Sequence, residues 1–432
     1  MIREKIFYYD TLPYPTLMIN HLKLKSEFSR NLLTLMTGTT IAQAIPIAIS
    51  PILTRIYTPE DFGVLALYLA ISSIIGVIVT GRYELAIMLP KKKSDAEKLV
   101  LLSLIITIVI SLITLMVVVV FNQRITQLLG SPRISQWLYF VPLTIFFTGV
   151  YQSFNYWSNR QKRYKNLVAS RVTQSTVNSG VQLGAGIEGI TQYGLISGNI
   201  IGQGIASLLL AKIILKKNNN FFKINRAIKL IALLKRYKKL PLYSAPMGFV
   251  NSISNQIKPL VFSSIFSTGI VGWVFMAERM LRAPLSIISS SFGEVFFQKF
   301  VNSDNKLNIY IKSYFLLLLL SLFFLSPILF WGELIFEKIF GIEWKEAGKV
   351  ASIMYPMVCI SFATSAISSI FTAMEINEIS LLWQIIYFIG LVFIITFFYN
   401  DGYIVLMKYL VYWGSGMYFI LFLVGGYCIK IK

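Results

Sequence analysis

Twelve apolar stretches alternate with short polar links along the 432 residues. A membrane-spanning helix needs about 20 mostly apolar residues. On that rule spans fall near 32–54, 62–89, 98–121, 136–157, 167–187, 191–215, 240–266, 270–297, 309–331, 347–373, 379–399 and 402–429. The pattern predicts an all-α polytopic membrane protein, because hydrocarbon offers backbone groups no partner outside their own segment. The second and eighth spans are long enough to protrude or tilt. Pro46 and Pro51 interrupt the first span and Pro259 the seventh. Proline removes a backbone donor and clashes with the preceding turn, so helix breaks are predicted there. In membrane bundles such breaks face protein or a wet cavity, and in transporters they mark the substrate region.

Composition agrees with the pattern. Hydrophobic residues make up 56% of the chain and charged residues 14%, against roughly a quarter charged in soluble proteins. A net charge of +21 would suggest nucleic acid in a soluble protein. Here the cations lie between apolar segments, so they are read as the positive-inside signal and as attraction to anionic membrane lipids; no nucleic-acid partner is expected. With a cytoplasmic N-terminus, one side receives Arg3, Lys5, Lys23, Lys25, Arg30, Arg82, Lys91, Lys92, Lys93, Lys98, Arg160, Lys162, Arg163 and Lys165. Lys299, Lys306, Lys312, Lys430, Lys432 and the central loop from Lys212 to Lys239 add to the same side. The opposite links hold Arg55, Arg124, Arg133, Lys338, Lys345 and Lys349, among acids such as Glu60, Asp61, Glu337, Glu343 and Glu346. The bias, roughly five to one, puts both termini in the cytoplasm.

Other chemistry is sparse. Cys359 and Cys428 lie far apart, with no disulfide framework or metal spacing. His21, the single histidine, precedes the first span, which leaves no histidine-based metal site or triad; no metal or cofactor is expected. The first residues lack the apolar core of a signal peptide. Met18 resembles a normal start, making the residues before it a dispensable extension.

The central loop divides the chain into a cytoplasmic segment at 1–30, a first lobe at 31–215 (spans one to six), a basic linker at 216–239 and a second lobe at 240–432. Within the linker Ile224, Ile228, Ile231 and Leu234 recur at helical spacing among Lys223, Arg226, Lys229 and Lys235. This predicts an interfacial helix on anionic headgroups. The halves echo one another: Gly63 opens span two and Gly272 span eight, Ser94-Asp95 and Ser303-Asp304 follow their exits, and Pro51 and Pro259 precede them. A duplicated six-helix unit with the substrate between two pseudo-symmetric lobes is the expectation.

Several motifs have bland explanations. GAGIEG at 184–189 fits a glycine fingerprint but lacks the strand and acid that would make it a nucleotide site; it reads as a turn. Gly194, Gly198 and Gly202 allow close helix packing. Tyr151, Phe154, Tyr156 and Trp157 read as an interfacial aromatic belt. Intramembrane charges carry more weight, since each costs about 2.5–3.5 kcal/mol unless it faces a cavity or a partner. These are Arg171, Lys258, Glu278, Arg279 and Arg282. Glu278 and Arg282, four apart, can pair along one face, leaving Arg279, Lys258 and Arg171 to form a cationic interior suited to a phosphate-bearing substrate. Arg82 joins this substrate-binding set. Arg82 and Glu84, two apart in span two, point to different faces; Glu84, Glu278 and Glu294 are candidate coupling carboxylates.

At GTTIAQAIPIAISPILTRIYTPEDFG and GRYELAIMLPKKKSDAEKL the chain resembles the polysaccharide-synthesis flippases of bacteria, the O-antigen or capsule repeat-unit translocases of the multidrug/oligosaccharidyl-lipid/polysaccharide exporter superfamily. PILTR-x-YTPE-x-FG carries the resemblance; the second half is less distinctive. The resemblance implies a V-shaped pair of six-helix lobes with alternating access, not an enzyme. It also implies a bacterial inner-membrane location, an undecaprenyl-pyrophosphate-linked oligosaccharide as cargo and polysaccharide polymerase machinery as a partner. A drug antiporter of the same superfamily, a peptidoglycan-precursor flippase and a membrane polymerase or ligase of lipid-linked sugars stand as alternatives.

Overall fold

The computed structural model describes residues 27–217, 227–374 and 376–431. The start at Met18 and the basic lead-in with His21 lie outside the described residues. So do Lys223, Ile224, Arg226 and Lys432, and the side chains of Ile228 and Glu294. Among the described residues each predicted span has its long helix, and no strand occurs. The first half comprises α1 (Glu27–Ile56), α2 (Pro59–Gly76), α3 (Lys93–Leu128), α4 (Val141–Arg160), α5 (Tyr164–Ile187) and α6 (Thr191–Lys217). The second comprises α7 (Ala245–Ile265), α8 (Thr268–Val301), α9 (Lys306–Phe340), α10 (Lys345–Ile367), α11 (Asn377–Phe398) and α12 (Tyr403–Ile431). By length and composition eight described helices can cross a membrane, and nine if the bent pair Pro132–Leu138 and Val141–Arg160 counts as one span. The protein is a multi-pass membrane protein. The remaining three long helices, α5, α7 and α8, are the ones that carry Arg171, Lys258 and the 278–282 charges.

Packing repeats between the halves. In the first, α3 lies on α4, α4 on α6, α5 on α6, α2 on α4 and α1 on α5; the same five pairings recur among α7 to α12. The halves meet where α1 and α2 cross α7, α8 and α9. Gly198 and Gly202 seat α6 against Gln174 and Asn178 of α5, as small residues at that spacing allow. GAGIEG is the end of α5 and the turn after it, with Gly189 at φ +75°.

Several expectations are corrected. The second span is not one helix: α2 stops at Gly76, Gly81 and Arg82 both adopt left-handed backbone (φ 60° and 61°), and a single turn follows at Tyr83–Ala86. Two successive left-handed residues cannot continue a right-handed helix. Arg160 stabilises the break by donating to the carbonyls of Ile87 (3.0 Å), Met88 (3.0 Å) and Pro90 (2.5 Å). The three prolines do not break their helices: α1 runs through Pro46 and Pro51, and α7 through Pro259. Within a turn of them, Ser50 Oγ donates to Pro46 O (2.6 Å) and Thr54 Oγ1 to Pro51 O (3.2 Å), adding side-chain hydrogen bonds to the same stretch of α1. The fourth span bends by 51° ahead of Val141. Phe154 and Trp157 form no lipid-facing belt but are buried in the first half's core. The linker helix spans Ala227–Arg236. Its Leu230 and Leu233 pack on that core, while Ile231 and Leu234 stay exposed.

Candidate functional site

On α8, positions 278, 279 and 282 share one face, since residues three and four apart are helix neighbours. That face lines a cavity of about 490 Å³ between the halves, walled also by Ser73 of α2, Asn255 and Pro259 of α7, and Ser286 of α8. Glu278 does not pair with Arg282 as spacing alone suggests. Its carboxylate takes the ammonium of Lys258 from α7, and Lys258 is buried behind it. Arg282 instead reaches Ser361 Oγ of α10 (3.5 Å), and Arg279 donates to the Pro46 carbonyl of α1 (3.2 Å). Ser286 Oγ donates to Gln43 Oε1 of α1 (3.1 Å). With Glu278 neutralised by Lys258, the described cavity wall presents two guanidiniums, backed by amides and hydroxyls. Guanidinium forks match phosphate oxygens in pairs.

The other cations named from the sequence lie elsewhere. Arg171 donates to Thr39 Oγ1 of α1 (2.6 Å). Arg82 sits at the α2 break with its guanidinium against Gly248 of α7, 3.7 Å from Glu84. The two side chains therefore meet across the turn instead of facing apart. Glu84 is 2% exposed and also accepts from Thr80 Oγ1. Of the five cations, the fold brings Arg279, Arg282 and, through Glu278, Lys258 together.

Residue spacing overlooked what the YTPEDFG link does. Thr58 and Asp61 cap α2 reciprocally: Asp61 N donates to Thr58 Oγ1 (3.3 Å) and Thr58 N to Asp61 Oδ2 (3.0 Å). The T-x-x-D capping box was the legible signal. Tyr57 Oη donates to Gln182 O (2.6 Å). Phe62 meets Trp344 edge to face (centroids 5.0 Å), and Trp344 Nε1 donates to Thr54 O (3.0 Å). Ser263 Oγ donates to Leu129 O (2.6 Å). The contacts of Trp344 with Phe62 and Thr54 and of Ser263 with Leu129 join the two halves at the Tyr57 end, away from the basic linker. The segment carrying the family motif is a seal, and the charged cavity lies farther in.

Solved structures share this architecture. The chain aligns with an inward-facing multidrug resistance MATE family transporter of the MOP superfamily at TM-score 0.68 and 14% identity, over 92% of this chain and 94% of that one. The lipid II flippase MurJ in an inward closed conformation aligns at 0.69 and 15%, over 91% and 86%. A MOP superfamily transporter from Pyrococcus furiosus aligns at 0.59 and 12%, over 93% and 96%. At these identities the likeness shows the fold. No curated protein matches the chain. The polysaccharide biosynthesis protein family matches residues 52–349, more than half the sequence and the whole region from the Tyr57 seal through the charged cavity, so the chain belongs to that family.

Proposed function

We propose that the protein flips undecaprenyl-pyrophosphate-linked oligosaccharide repeat units, of O-antigen or capsule type, from the cytoplasmic to the periplasmic leaflet of the bacterial inner membrane. The observation that carries this reading is the pair Arg279 and Arg282 on the cavity wall, with Glu278, the only carboxylate lining that cavity among the described residues, already bound to Lys258. A pyrophosphate and a hydroxyl-rich glycan have no hydrogen-bond partners in hydrocarbon, so unaided crossing is prohibitive. Two guanidiniums hold the pyrophosphate, while Asn255, Ser73 and Ser286 offer donors and acceptors to sugar hydroxyls. The polyprenyl tail stays in lipid.

With the linker on the cytoplasmic side, the Tyr57 seal is periplasmic and the protein stands in an inward-oriented state. Substrate arriving at Arg279 and Arg282 competes with the Pro46 carbonyl of α1 and the Ser361 hydroxyl of α10 for their guanidiniums, loosens the contact between α1 and α8, and so favours the alternative packing of the halves. Polysaccharide polymerase machinery takes the product on the far side. A drug antiporter is the second reading; it would use a carboxylate left free for a cationic drug, and Glu278 is engaged.

The test is complementation of a flippase-null strain. Arg279→Ala and Arg282→Ala should abolish surface glycan and accumulate the lipid-linked repeat unit, at unchanged protein abundance in the membrane. Normal glycan in both variants rejects the reading.

A further inference from the structure

A second cavity lies far from the seam, on the outer flank of the second half. α9 carries Pro327 and loses helical geometry at Trp331 (φ −124°, ψ 22°). Ser352 Oγ of α10 compensates by donating to Ile328 O (2.7 Å). Just beyond the kink α9 and α10 touch so closely that a Cβ on Gly348 would overlap the Gly332 carbonyl. The kink opens a cavity of about 510 Å³, whose polar lining includes Glu333, Lys349, Ser352 and Lys408. Phe330 and Trp331 at its rim are exposed.

Its charges lie near the ends of their helices. Lys349 and Lys408 are the fifth and sixth residues of α10 and α12, about 6–8 Å from the helix starts at 1.5 Å per residue. That is the depth at which lysine and tryptophan sit at a membrane interface. Lys349 pairs loosely with Glu346 on its own helix at 3.8 Å, and that carboxylate also accepts the Tyr403 hydroxyl at 2.7 Å. Among the described residues Lys408 forms no ion pair and neither does Glu333. Two ammonium groups and one carboxylate thus face a single lipid-level cavity. Below the rim, Leu316, Leu319, Phe323 and Phe330 form an exposed apolar stripe along α9.

We propose that this cavity binds a phospholipid whose headgroup carries both a phosphate and a primary ammonium. Lys349 and Lys408 take the phosphate, Glu333 takes the ammonium, and the acyl chains lie along the α9 stripe. A purely anionic headgroup would leave Glu333 facing phosphate. A quaternary ammonium headgroup could not donate a hydrogen bond to it. The site is independent of the transport cavity.

Native mass spectrometry of the purified full-length protein tests this, with phosphatidylethanolamine, phosphatidylcholine and phosphatidylglycerol added in turn. The wild type should retain phosphatidylethanolamine over the other two. Lys408→Ala should weaken that retention about tenfold, the loss of one charge-assisted hydrogen bond. Glu333→Gln should erase the preference over phosphatidylglycerol, and Lys312→Ala, an exposed lysine at the other end of α9, should change nothing. Equal retention of all three lipids by the wild type, or no effect of Lys408→Ala, overturns the proposal in favour of bulk lipid. Displacement of phosphatidylethanolamine by inorganic phosphate overturns it in favour of a free-anion site.

Discussion

Gly63 of α2 and Gly272 of α8 face one another at the centre of the seal, and each admits the other helix's first turn. A Cβ on Gly63 would overlap the Thr268 carbonyl, and a Cβ on Gly272 would overlap the Pro59 carbonyl and come within 3.1 Å of Gly63 N. Each glycine lies four residues after the residue that contacts its counterpart, and those residues open the two helices. The contact is reciprocal, as a local two-fold axis requires. The same two glycines echo each other in sequence, so the repeat-related positions also form the crossing.

Gly63→Ala and Gly272→Ala should each force the helices apart, costing about 1–3 kcal/mol of overpacking in the closed form. Spin labels placed across the Tyr57 end should report longer distances in both variants. Gly180→Ala is the control, because a Cβ there meets nothing within 4 Å; its distances should match the wild type.

Trp344→Phe keeps an aromatic ring against Phe62 but deletes the donor to Thr54 O. Loss of one hydrogen bond costs roughly 1 kcal/mol, a several-fold shift toward the unsealed state. With Cys359 and Cys428 replaced, a Ser263→Cys reporter should react faster with a polar thiol reagent in the Trp344→Phe background. An unchanged rate would mean the bond contributes nothing to closure.

Lys258 and Glu278 form a double-mutant cycle. Removing Glu278 alone leaves a buried ammonium without its partner, a loss of about 3 kcal/mol. Glu278→Gln should therefore lower the melting temperature in detergent more than Lys258→Met with Glu278→Gln combined. Additive effects would show that the pair is not coupled.

Arg160→Ala should destabilise the α2 break by about 2 kcal/mol, since it strips the carbonyls of Ile87, Met88 and Pro90 of one shared donor. Arg160→Lys should recover only part, because an ammonium cannot span three carbonyls as a planar fork does. Thermal unfolding of the two variants distinguishes the outcomes.

A reporter fused within the linker, after Lys238, should read as cytoplasmic. An external signal would reverse the orientation of every helix, and with it the assignment of the Tyr57 seal to the periplasmic side.

The sequence on its own was sufficient for the membrane class, the number and order of long helices, and the family. Those properties rest on local quantities: runs of apolar residues, charge in the links, and a contiguous motif. It also marked Arg279 and Arg282, because an ion in an apolar run is visible without knowing what surrounds it. Tertiary structure decided the partners. Spacing along α8 offered Arg282 to Glu278, but a side chain on another helix, Lys258, approaches more closely. Proline content suggested broken helices in α1 and α7, yet both run on through their prolines. The real break, at Gly81 and Arg82, is held by Arg160 some seventy residues on. Lys408 drew no notice in sequence, and only the kink of α9 placed it beside Lys349 and Glu333. Burial, pairing and cavity shape depend on contacts between distant segments, which hydrophobic periodicity does not encode.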